Sequence, residues 1–144
     1  MASDVAALRN VIATLEKLNV RGWDHADTCQ LIEYADDAAF STAPQSDTCR
    51  QRVQPVGMTE RARRDWAEVD QATSAAGVRV FTITEVYYDH GSIVHADFLV
   101  VAPWQDRWAY IYDTGTGLAP DDSGPDVVVI PIDSEWHFSI EDWN

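Results

Sequence analysis

The apolar pattern of this 144-residue chain changes period at Gly77, and that switch constrains the fold more than any other feature. Upstream, Val5, Leu8, Val11, Ile12, Leu15 and Leu18 recur every three or four residues, the spacing of one buried helical stripe. Ser3 is placed to cap this helix over residues 4–18, and Gly22 to end it. A second, shorter helix is expected to start at Asp24 or Asp27, to bury Leu31, Ile32 and Ala35, and to end near Asp36 and Asp37. A short strand over 38–42 and a turn at 44–47 follow. Thr59 then caps a third helix running to about Ala75, with Ala62, Trp66, Val69, Thr73 and Ala76 on its inner side. Glu60 with Arg64, and Arg64 with Glu68, are spaced to pair on its wet side.

Downstream of Gly77, residues 78–88, 92–102, 107–113, 127–132 and 135–143 are β-branched or aromatic runs of strand length. Turns at Asp89-His90-Gly91 and at 103–106 make the first three an antiparallel meander. Residues 114–125 form the one long loop. Helices first and a meander last define an α+β domain, with three N-terminal helices on a curved antiparallel sheet. The length suits a single domain over 1–144 with its own core.

Charge narrows the partners. The formal net charge is −14 at pH 7, and it is unevenly spread. Residues 1–48 carry −5, residues 49–79 carry +2, and residues 80–144 carry −11. Such a chain repels phosphate backbones, so nucleic acid is not an expected partner. Arg50, Arg52, Arg61, Arg63 and Arg64 form the one basic patch, which either pairs internally with the acidic half or meets an acidic partner. The longest apolar runs are too short to span a bilayer, so no membrane association is expected.

Cys29 and Cys49 are the two cysteines, and neither belongs to a CxxC pair, which sets aside a redox motif or zinc ribbon. They bracket the expected second helix, and that placement predicts that they meet. A bridge there would contribute roughly 3 kcal/mol in the chain-entropy model. With Met1 as the native start the expectation is a cytoplasmic chain, without a signal peptide and with two thiols. A mature domain would instead be secreted and bridged.

The order helix, helix, short strand, helix, meander resembles the NTF2-like superfamily, whose bent sheet and three helices enclose a cone. Residues 30–40, an aliphatic stretch ending in Asp36 and Asp37 before Phe40, look like that superfamily's second-helix exit. Cys29 and Cys49 are similar to the paired cysteines of its bacterial extracellular members, and Trp136 in residues 135–139 to the tryptophan of its last strand. Residues 114–125 and 127–132 depart from its usual short hairpin. The superfamily holds both enzymes and non-catalytic binders, so the resemblance implies a fold and leaves function open.

His95 and Asp97 lie two apart in one strand and so share a face with Ile93, Leu99 and Val101. On an apolar concave face they would form a general acid/base pair; half wet, they would be structural. The resemblance implies that catalytic groups line that concave face. Trp108, Tyr110 and Tyr112 share another face, where they either line a ligand pocket or fill the core between sheet and helices. Trp104, at a hairpin tip, is a candidate interface anchor. Asp113, followed by Gly115 and Gly117, lacks the calcium-loop donors and the lysine of a phosphate loop, so it reads as the start of a solvated acidic loop. His25, His90 and His137 are single histidines expected to be structural. No metal or cofactor is implied.

Three functions follow. One is an acidic, non-catalytic binding module that engages a protein partner or small ligand through its aromatic, acidic C-terminal half; a homodimer is a separate alternative, tied to no particular surface. Another is a cofactor-independent isomerase, dehydratase or hydrolase using His95 as base and Asp97 as its partner. The third is an inhibitor or immunity-type protein covering a basic active site.

Overall fold

The structure, a computed structural model, describes all residues except 27, 50, 104–105, 119–125 and 143–144. Helix α1 (Ala2–Leu18) is followed by strands β1 (Val20–Ala26), β2 (Cys29–Tyr34), β3 (Ala39–Ser41) and β4 (Val56–Gly57). Helix α2 (Glu60–Ala75) then leads into β5 (Val80–Asp89), β6 (Ser92–Val100), β7 (Arg107–Asp113), β8 (Val127–Pro131) and β9 (Trp136–Glu141). All nine strands join one sheet in the order β4-β3-β2-β1-β5-β6-β7-β9-β8, antiparallel except for the β3–β4 pair. The chain is therefore α+β, but the three-helix cone expected from the sequence is overturned. Among the described residues there are two helices, and the mixed sheet dominates.

The expected second helix is a β-hairpin. In β1–β2, Trp23 stands opposite Ile32 and Asp24 opposite Leu31. Leu31 and Ile32 are both fully buried, on opposite faces of the sheet: Ile32 joins the helix-side core and Leu31 packs with Cys29 and Cys49. A strand buried on both faces shows no alternation, so its short apolar run imitates a helix. Gln30, Leu31 and Glu33 also favour helices intrinsically, and ladders on both sides override that preference.

The two helices lie where the stripes place them. α1 buries Val5, Leu8, Val11, Ile12 and Leu15, although its first turn includes Ser3, and it ends at Asn19 (φ 59°) rather than Gly22. Thr59 caps α2 as expected, its hydroxyl accepting from the Ala62 amide at 3.1 Å. The expected wet-side pairs of α2 are replaced by Arg61–Asp65 within the helix and by Glu68 with Lys17 of α1, which ties the helices together. Both pack on one sheet face against Trp23, Ile83, Phe98, Tyr110, Trp136 and Phe138. Trp66 is 7% exposed, stacks on Trp23 at 5.6 Å, and donates its indole N–H to the Asp24 carbonyl at 3.0 Å.

The meander of β5, β6 and β7 forms, its first turn using left-handed His90 and Gly91 between Asp89 and Ser92. The last two strands reverse their sequence order in space: β9 pairs with β7, and β8 takes the outer edge.

Candidate functional site

Cross-strand register assembles a polar cluster on the sheet face opposite the helices. His95 in β6 stands opposite Asp113 in β7, and Asp97 follows it by one strand period. Nδ1 of His95 lies 3.0 Å from Asp113 Oδ2, and Nε2 lies 2.9 Å from Asp97 Oδ1. Arg107 donates to the other oxygen of Asp97 at 3.1 Å and reaches Glu141 at 3.6 Å. All three members of the Asp–His–Asp core are buried.

The electrostatics follow from those partners. Burial alone would push the imidazole down, but hydrogen bonds to Asp97 and Asp113, with their charges, outweigh it and raise His95 above the usual histidine value. Burial opposes ionisation of Asp113 as well. It is overcome by the Thr116 hydroxyl and amide, the imidazole and the Gly115 amide, which hold this carboxyl well below the usual range. As an imidazolium, His95 donates through both nitrogens to carboxylates; as neutral imidazole, it would turn a lone pair toward one of them. Both nitrogens are occupied, which leaves neither free to take a proton from a substrate.

Asp113 corrects the sequence reading of this segment. It is 5% exposed and is the hub of a turn, accepting from Gly115 N, Thr116 N and Thr116 Oγ1 at 2.6–2.7 Å. The sequence expectation recognised His95 and Asp97 because they sit two apart in one strand. Asp113 and Arg107 depend on the β6–β7 register, which no local spacing reveals.

The aromatic residues belong to the opposite face. Tyr110 is buried in the helix-side core and donates to Asp4 at 2.6 Å; Trp108 and Tyr112 are half-buried and pack against the same core. Trp108 and Tyr110 nevertheless reach the surface at one end of the helix pair. With Val78, Val100, Phe138 and Ile140 they wall an open groove of about 530 Å³. The buried indole nitrogen of Trp108 has no hydrogen-bond partner among the described residues. A second recess of about 720 Å³ adjoins it through Gly77, Val78, Arg79 and Val101, and holds His25, Asp70, Ser74 and Phe81. His25 Nδ1 lies 3.1 Å from Asp70, and its ring packs edge-on against Trp66 at 5.1 Å. His95, Asp97 and Asp113 line neither recess. Trp104 and Arg50 lie outside the described residues.

Cys29 and Cys49 are joined, with Cα atoms 5.5 Å apart. The bridge encloses β2 and β3 and packs with Leu31, and Gln51 donates to Asp24 at 3.3 Å. No family model, curated protein or solved structure matches the chain.

Proposed function

We propose that this protein is an acidic, non-catalytic binding module whose ligand seats in the groove walled by Trp108 and Tyr110. The observation that carries this reading is the contrast between the His95 centre and the groove. The His95 centre is closed on its own carboxylates and lines neither recess. The groove is open and largely apolar, with Trp108 and Tyr110 in its wall. Its size falls in the range of small-molecule sites, roughly 300–1,000 Å³. The contrast favours binding over an isomerase, dehydratase or hydrolase reaction at His95 and Asp97.

The inhibitor reading rests on charge alone, and internal pairing weakens it. Asp133 and Glu135 face Arg9, Glu141 faces Arg107, and Glu85 faces Arg52.

N-phenyl-1-naphthylamine, an uncharged fluorophore that brightens in apolar sites, tests the reading. The expected result is one saturable site, lost in Val101→Asp, a change at a residue 52% exposed and therefore harmless to the fold. Absence of binding to the folded wild-type protein overturns it.

A further inference from the structure

The two adjoining recesses differ in character, and their shared wall carries a cation. Arg79 is exposed and lines both, and its guanidinium has no carboxylate or other side-chain partner among the described residues. Arg9, Arg21, Arg52, Arg61 and Arg107 are each committed to an acidic side chain, whereas Arg63, Arg64 and Arg79 are not among the described residues, and of these three only Arg79 lines the two recesses. In a chain of net charge −14, an unpaired arginine between two recesses is a local positive point in a negative field. On one side of it lie the Ser74 hydroxyl and the His25–Asp70 pair; on the other lie Val100, Trp108, Phe138 and Ile140.

From this juxtaposition we infer that the ligand is a monoanionic amphiphile, a carboxylate on an aliphatic tail. Its head pairs with Arg79 beside Ser74, and its tail lies along the apolar groove. The inference rests on the binding reading above and specifies its ligand class. A guanidinium fork matches a carboxylate in two parallel hydrogen bonds, which gives the head a defined orientation. The apolar wall takes a hydrocarbon chain without leaving polar groups unpaired. Asp70 in the polar recess, together with the net charge, disfavours a dianionic head, so a phosphate monoester should bind less well than a carboxylate.

Octanoate, octan-1-ol and octyl phosphate separate the contributions, with tryptophan fluorescence as the signal and isothermal titration for affinity. The wild type is expected to prefer octanoate to octan-1-ol by about fivefold, the upper end of what an exposed ion pair supplies. Arg79→Gln should erase that preference, so that the variant binds octanoate no more tightly than octan-1-ol. Equal affinities for octanoate and octan-1-ol in the wild type would overturn the charged-head inference and leave the binding reading standing. Tighter binding of octyl phosphate than of octanoate would overturn the monoanion. Failure of all three to bind at up to about 5 mM, where even weak sites of this kind register, would overturn the binding reading itself.

Discussion

Replacing His95 by leucine removes the centre of the Asp97–His95–Asp113 cluster while keeping roughly the same volume. Breaking one partner out of a buried charge pair costs about 3–5 kcal/mol, because the remaining charge is left uncompensated. Here neither aspartate is left bare. Asp113 keeps donors from Gly115 and Thr116, and Asp97 keeps Arg107. The cost should therefore fall near the lower end, about 3 kcal/mol, a large share of a domain's stability. The pH profile supplies a second, independent signature. His95 titrates above its unfolded value, so its contribution is complete below about pH 6.5 and is lost as pH rises through the folded pKa. Asp113 titrates below its unfolded value, so its contribution is present above about pH 3.9 and is lost only as pH falls through the folded pKa. The wild type should therefore be most stable between about pH 4 and 6.5, and should weaken toward pH 9. His95→Leu should be less stable throughout and lose the alkaline slope. Urea denaturation at pH 5.5 and pH 9 measures both effects. A variant within about 0.5 kcal/mol of wild type at both values would refute the reasoning, since that is the scatter of changes at neutral surface sites.

Three further changes probe the frame around the groove. Replacing Cys29 and Cys49 together by serine should cost roughly 3 kcal/mol, read as a lower urea midpoint with an unchanged far-ultraviolet dichroism spectrum. Trp66→Ala should cost roughly 3–5 kcal/mol in a thermal melt, because it removes the ring stacked on Trp23 and the bond to the Asp24 carbonyl. Thr59→Ala should cost about 1 kcal/mol through loss of the cap on α2, without affecting ligand affinity.

Where local rules and tertiary packing agreed, the elements were legible in the sequence: the stripe of α1, the cap and stripe of α2, and the β5–β7 meander. The β1–β2 hairpin was not, because Leu31 and Ile32 are buried on opposite faces and a strand without alternation resembles a short helix. Cys29 and Cys49 meet, as their spacing predicts, but across the strands β2 and β3 rather than around a helix. At the polar cluster, His95 and Asp97 are visible as a two-residue period, whereas Asp113 and Arg107 require a register. Trp108 and Tyr110 are legible as one aromatic strand face, whereas the groove they line is completed by residues 77–79 and by Val100, Val101, Phe138 and Ile140, which only the sheet order and the end of α2 bring beside them.

The most direct test of the binding account is a two-dimensional amide and indole NMR titration with N-phenyl-1-naphthylamine. Shifts are expected only in the groove, at Val78, Val100, Val101, Phe138 and Ile140 and at the indole N–H of Trp108, whose ring lines it. Resonances of His95, Asp97 and Asp113 should not move. Shifts centred on His95 and its carboxylates, with the Trp108 indole unmoved, would contradict it.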